Sequence, residues 1–216
     1  MIAVNKLPGE IVQGDSTGDE PLVDRVKKYI KKKYNKPGEV YLGIVHRIDR
    51  PVSGIVIFAR TSKALSRMNK LVQDREIKKI YWAIVKELPE KDEAELQHYI
   101  LKNSEKNKSY AFPKPKQGAK LGILKYRLIG GSTNYYLLEV DLKTGRHHQI
   151  RSQLAKIGSP IKGDLKYGFP RSNKDGSISL HARKVEFIHP VKKEPVSIVA
   201  SPPKTEPLWK EFENVM

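Results

Sequence analysis

The chain has 216 residues, 38% hydrophobic and 30% charged, enough apolar material for one sizeable core. Its 41 Lys and Arg against 24 Asp and Glu give a formal net charge of +17, an excess that attracts a polyanion such as nucleic-acid phosphate. With no cysteine, a disulfide framework, Cys-ligated zinc and a thiol nucleophile are excluded. The N-terminus MIAVNKLPGEIVQGD has no basic segment leading into a long apolar run, so neither a secretory signal nor a membrane span is expected. These totals suit the cytoplasm.

Residues 1–15 read as a short apolar strand closed by a Pro8-Gly9 turn. Over 21–34, Leu22, Val23, Val26, Tyr29 and Ile30 fall on one helical face, with lysines on or near the other. Strands follow at 41–45 and 54–60, the second a near-continuous apolar run of the kind covered on both faces. Residues 61–75 form a second amphipathic helix capped by Thr61 or Ser62, with Ala64, Leu65, Met68, Leu71 and Val72 as its stripe. Further strands are expected at 80–86, 122–129 and 134–142, and 103–120 is expected to be an exposed hairpin or loop. A third helix is expected over 146–157, with Gly158 ending it, and last strands at 178–188 and 196–200. Strands outnumber helices and do not alternate with them. The expected fold is therefore α+β, a large, mostly antiparallel mixed sheet with flanking helices, over a single domain 1–216.

The densest functional signal is HRIDRPVSG, His46 to Gly54, which packs Asp49 among His46, Arg47 and Arg50. In an extended stretch Arg47 and Asp49 share a face. A carboxylate near arginines stays ionised when partly desolvated, as a nucleophile or ionic base requires; the same run also fits a structural salt bridge in a loop. The second signal is KTGRHHQIR, Lys143 to Arg151. There a helix start adds free N–H groups and a positive dipole end to Arg146, His147 and His148, a cradle for phosphate or carboxylate. Arg151, beside the apolar Ile150, is either partly buried with an anionic partner or reaching out to solvent. GSPIKGD (158–164) reads as a rigid loop, and KKIYWA (78–83) opens a strand that sends Tyr81 and Trp82 to opposite faces.

In this order, these pieces resemble the RluA family of pseudouridine synthases. The family's H-R-[LI]-D-x-x-[TS]-[SA]-G matches residues 46–54 except at Val52. Its T-G-R-x-H-Q-I-R matches Thr144 to Arg151, its G-x-P-[IL]-x-G-D-x-x-Y-G matches Gly158 to Gly168, and its K-x-Y-x-A matches Lys79, Tyr81 and Ala83. The opening NKLPG and the late LHARKVEFIHP resemble further family segments, so coverage runs from about residue 4 to 203. Besides Val52, the departures are His147, where Thr is common, and Gln153, where His is common; both are expected near the substrate-binding helix. The pattern starts almost at Met1, so the S4-like RNA-binding domain of many relatives is expected to be absent.

The resemblance implies isomerisation of uridine to pseudouridine in ribosomal or transfer RNA, with Asp49 as catalytic carboxylate. It implies that Arg151 pairs with Asp49 and that Tyr81 stacks on the uracil and assists at its C5 proton. Arg47 and Arg50 would hold the RNA backbone; His46, Arg146, His148, Gln149 and Ile150 complete the expected RNA-binding set. No cofactor, metal or obligate protein partner is implied, and a monomer is expected. A rival is a non-catalytic RNA- or ribosome-binding protein of the same fold. Two others fail on the residues: K-T-G and S-x-x-K occur in the wrong order for a penicillin-binding acyl-transferase, and the adjacent His147 and His148 lack the spacing of a helical zinc site.

Overall fold

A computed structural model describes residues 1–213. Ten strands form one mixed sheet: β1 (Ile2–Lys6), β2 (Gly43–Ile44), β3 (Ser53–Ala59), β4 (Lys78–Val85), β5 (Glu93–Asn103), β6 (Lys108–Phe112), β7 (Lys120–Gly131), β8 (Tyr136–Leu142), β9 (Leu180–Ile188) and β10 (Pro195–Val199). The main order is β1-β3-β9-β4-β8-β7-β5-β6, with β2 also on β3 and β10 also on β9. Every named pairing is antiparallel except β3 with β9, where Ser53 meets His181 and Gly54 meets Ala182. The expected α+β class and mostly antiparallel sheet are what is found.

Period-two alternation sorts the central strands between two apolar layers. Val56 and Phe58 of β3, with Tyr81, Ala83 and Val85 of β4, enter one core. Helices α1 (Leu22–Lys33) and α3 (Gln149–Lys156) supply its cover through residues such as Val26, Ile30, Ile150 and Leu154. On the opposite face, Ile55 and Ile57 of β3 pack with Met68 of α2 (Ser62–Gln73). Trp82 and Ile84 of β4 pack with Trp209 and Phe212 of α4 (Pro207–Glu213). Tyr81 and Trp82 thus point to opposite faces, as the strand period required, but both are buried.

Local chemistry explains most boundaries. Thr61 caps α2 by accepting from the Ala64 N–H at 3.1 Å. Tyr29 leaves the expected stripe of α1 and lies 51% exposed, its hydroxyl accepting from Lys33 Nζ at 2.9 Å. Two elements were not anticipated. In β5 the alternation is blurred, because its buried positions include His98 beside Ile100; β6, within the expected 103–120 hairpin, pairs with it. The helix α4 contributes seven described residues, Pro207–Glu213, too few for a periodic signal.

The seam between β3 and β9 sits under the 46–54 loop. Gly54 has φ +114°, and a Cβ there would collide with the backbone of Ala182. Beside it, the fully buried His181 bridges strands: Nε2 donates to the Ala200 carbonyl at 3.0 Å, leaving Nδ1 to accept from Ser53 Oγ at 2.8 Å. Burial is the main reason its pKa falls to about 4.

Gly54→Ala is expected to destabilise the fold by about 3 kcal/mol or more, from backbone strain plus overpacking; a chemical-denaturation curve matching the wild type would contradict this. The neutral His181 predicts a second effect. The unfolded chain takes up its proton near pH 6.5, the folded one only near 4. Stability from this group is therefore complete above pH 6.5 and is lost as pH falls toward 4, by up to about 3 kcal/mol. Urea midpoints should drop across that window, and by less in His181→Gln.

Candidate active site

Three chain segments meet above the β4 end of the sheet: the 46–54 loop, the turn into α3, and the 158–168 connection. They enclose a cleft of about 910 Å³ lined by Asp49, Tyr81, His148 and Arg151 among others. At its floor lies Arg151, 5% exposed. Its Nε and Nη2 donate to Asp164 Oδ2 and Oδ1 at 2.7 and 2.9 Å, and its Nη1 donates to Asp49 Oδ2 at 3.0 Å. One guanidinium is thus shared by two carboxylates, which raises its pKa despite the opposing effect of burial. Asp164 is 1% exposed, whereas the Asp49 side chain keeps 29%. Asp49 Oδ1 accepts no hydrogen bond among the described residues, so one oxygen is tied down and one is open.

A polar chain supports the same carboxylate from the other side. The Ser109 N–H donates to Tyr167 Oη at 2.8 Å, and the Tyr167 hydroxyl lies 3.0 Å from His148 Nδ1. A neutral His148 with its proton on Nε2 would accept from the Tyr167 hydroxyl through Nδ1 and turn its N–H toward the carboxylate. Nε2 faces Asp49 Oδ2 at 3.5 Å. Burial, then the nearby Arg151, push the His148 pKa down to about 2, so it stays neutral. Burial also raises Tyr167 to about 12. Tyr81, 8% exposed, is pushed above the usual phenol range by burial and by the Asp49 charge.

The backbone explains why these groups meet. His148 adopts φ 50°, the left-handed region, and α3 begins only at Gln149. Arg146, His147 and His148 therefore lie in the preceding turn, not in a helix that starts at 146. The kink stacks the two imidazoles at 3.8 Å between ring centres. Gln149 fixes this turn: its Oε1 accepts from Thr144 Oγ1 at 2.8 Å and the Arg146 N–H at 2.9 Å, and its Nε2 donates to the Ile123 carbonyl at 3.1 Å. Ahead of Asp164, Gly163 holds φ +86°, and a Cβ there would press on Asn173 at 2.8 Å.

The loop carrying Asp49 is anchored from below by Lys6. This fully buried lysine donates to the carbonyls of Leu7, Glu10 and Arg50 at 2.9, 2.9 and 3.1 Å. Burial lowers its pKa to about 8. It is a structural cation whose partners are all backbone oxygens, and the opening NKLPGE read only as a strand and turn.

Of the expected site residues, Asp49, Tyr81, Arg151, His46, Arg47, Arg50, Arg146 and His148 all line the cleft. Their partners differ from the sequence reading in one respect. Arg47 does not take Asp49: its Nη1 donates to Gln13 Oε1 at 3.2 Å, while Arg50 pairs with Asp19 at 2.6 Å. The charge beside Asp49 comes from Arg151, 102 residues away in sequence. Arg146 uses Nε on the Leu121 carbonyl at 3.0 Å. Gln149 and Ile150 border the cleft but are 3% and 5% exposed, with Gln149 spent on the turn and Ile150 in the apolar core. Gln153, expected near the substrate, is fully buried and donates to the Leu96 and Gly122 carbonyls. Val52 is core, so nothing there calls for a hydroxyl. Asp164 and Tyr167 were inside a matched motif, but no local pattern assigned them a task.

Comparison with known proteins agrees with this arrangement. The profile of the RNA pseudouridylate synthase family matches residues 1–156. A Vibrio cholerae protein named tRNA pseudouridine synthase C is 29% identical over 218 residues, covering 93% of this chain and 86% of that protein. A Buchnera aphidicola protein named ribosomal large subunit pseudouridine synthase C is 29% identical over 223 residues, covering 100% of this chain and 67% of that protein. Among curated relatives the share of their length that the chain spans falls as low as 65%. The solved structure of human RNA pseudouridylate synthase domain containing 4 superposes with a TM-score of 0.79 at 20% identity, over 99% of this chain and 88% of the other, which shows a common fold. Among the described residues no helix is long and apolar enough to cross a membrane. By its matched profile and its fold, this chain belongs to the RNA pseudouridylate synthase family.

Proposed function

We propose that this protein converts specific uridines of ribosomal or transfer RNA to pseudouridine, with Asp49 as the reacting carboxylate. The observation that carries the reading is Asp49 itself: one oxygen is held at 3.0 Å by the buried Arg151 and the other is open to a basic cleft. The reaction breaks the bond between uracil N1 and C1′ and forms one from C5 to C1′. The C5 proton is lost and N1 gains one, so substrate and product are isomers and no co-reactant is consumed. An open carboxylate oxygen serves either as nucleophile at C1′ or as the base that takes the 2′ proton. Arg151 provides its counter-charge and, through Asp164, its aim.

Tyr81 offers a flat, neutral ring beside Asp49. Its raised pKa favours a stacking surface for uracil over a phenolate base. A paired or stacked uridine must leave its stack to reach this floor, at a cost of a few kcal/mol. Contacts from the cleft arginines to the RNA backbone offset that cost, which gives the +17 net charge a mechanistic use. The relatives named for transfer RNA and for the large ribosomal subunit support RNA as the substrate class. In this reading the protein works as a cytoplasmic monomer without metal or cofactor.

Recombinant protein is expected to form pseudouridine at discrete positions when incubated with total cellular RNA and no added cofactor, as read by site-resolved mapping. Asp49→Ala should bring conversion below detection while RNA affinity stays within a few-fold. Full conversion by that variant would rule out the carboxylate's role, and joint loss of affinity and activity would assign Asp49 to the scaffold.

A further inference from the structure

We propose that Lys79 is a phosphate-binding residue of the cleft, holding the RNA backbone one pleat along β4 from Tyr81. This rests on the reading that RNA enters the cleft, and it adds a contact which that reading does not assign.

The first support is a difference in pairing. Several neighbouring cations have partners: Lys78 lies 3.8 Å from Glu186, Lys143 is 2.5 Å from Asp141, Arg151 is held by Asp164 and Asp49, and Arg47, Arg146 and Lys166 donate to Gln13, the Leu121 carbonyl and the Asn107 carbonyl. Lys79 lines the cleft, yet among the described residues it has no ion pair and no hydrogen bond. Burial lowers its pKa and no carboxylate counters the effect. A partly buried ammonium without an anion is a costly arrangement that an arriving phosphate would relieve.

The second support is position. Lys79 and Tyr81 are two residues apart on β4, hence on one face and about 7 Å apart along the strand. The register shift opposite them falls on β9, where Ile80 pairs with Lys184 and Tyr81 with Ala182, so the alternation of β4 is intact. The ammonium abuts the turn into α3: a Cβ built on Gly145 would lie 3.7 Å from Lys79 Nζ. No side chain fills that place, and Arg146 borders the cleft next to it.

The third support is independent of Lys79's own pairing. Nε2 of His46, a residue on the same cleft, is buried without a hydrogen-bond partner. Burial and the Lys79 charge lower the His46 pKa to about 4, so the ring is neutral. An unpaired cation and an unsatisfied imidazole nitrogen on one cleft wall are the pattern of a site that completes its bonding with a ligand. A phosphate brings the charge that an ammonium takes as a point contact.

The test is fluorescence anisotropy of fluorescein-labelled oligouridylate binding, measured against salt concentration. Lys79→Gln is expected to lower the slope of log affinity on log salt by about one. Lys79→Arg should keep the wild-type slope, and so should Lys78→Gln, whose lysine already has Glu186. A wild-type slope in Lys79→Gln would overturn the proposal while leaving RNA binding and conversion standing. Wild-type protein that does not bind oligouridylate at all would overturn both. Should Lys79→Gln fail to fold, amine acetylation of the wild type decides. Bound oligouridylate should slow labelling of Lys79 several-fold against its rate in the free protein while Lys78 keeps its own rate, and an unchanged Lys79 rate would overturn the assignment. Neither readout requires catalysis, so absence of pseudouridine formation would count only against the catalytic reading.

Discussion

A single guanidinium organises the site. Arg151 is removed from water, and a buried charge is tolerated only when its donors are matched by anions in good geometry. Asp164 takes Nε and Nη2, and Asp49 takes Nη1. The two carboxylates then have different fates. Asp164 is spent, with both oxygens on Arg151 and no exposure to speak of. Asp49 gives up one oxygen and retains the other. The same contact ties together the 46–54 loop, α3 and the 158–168 connection, so the open oxygen is fixed relative to the sheet and to Tyr81. His148 sits at 3.5 Å against the Asp49 oxygen that Arg151 holds, with Nδ1 on the Tyr167 hydroxyl that Ser109 holds.

That contact stays in place because the sheet beneath it leaves little slack. Gly54 allows β3 to run against Ala182 of β9, in the parallel pairing of a sheet that is otherwise antiparallel. Lys6 then gathers three carbonyls, among them that of Arg50, which adjoins Asp49. A buried lysine satisfied by backbone oxygens adds no competing carboxylate near the site, so Arg151 remains the direct cation on Asp49. The basic residues at the cleft mouth, such as Arg47 and Arg50, take other partners and leave the floor undisturbed.

Much of this was legible in the residues. The apolar run of β3 and the stripe of α2 follow directly from periodicity, and the ordered motifs around Asp49, Tyr81 and Arg151 indicated the family. What escaped depended on distance or on small deviations from a regular pattern. β5 carries His98 where an apolar residue would have revealed a strand, and the seven described residues of α4 are too few to show a period. The left-handed residue at His148 shortens α3 by three positions from the expected start, a non-glycine exception that sequence does not signal. Proximity along the chain suggested Arg47 as the neighbour of Asp49, but a loop side chain has many alternatives and Gln13 takes it. The roles of Asp164 and Lys6 are tertiary facts. Asp164 is defined by Arg151, 13 residues away across a helix and a loop, and Lys6 by carbonyls gathered in a turn, and no residue pattern assigns either pairing.

The most direct test of the central claim is a crystal structure of the protein with a uridine-containing RNA in the cleft. The expected result is an unstacked uridine with ribose C1′ about 3–3.5 Å from Asp49 Oδ1, Arg151 still bridging Asp49 and Asp164, and the Tyr81 ring against the uracil. A bound RNA whose extruded nucleotide lies elsewhere, or an Asp49 released from Arg151 and turned to solvent, would contradict it.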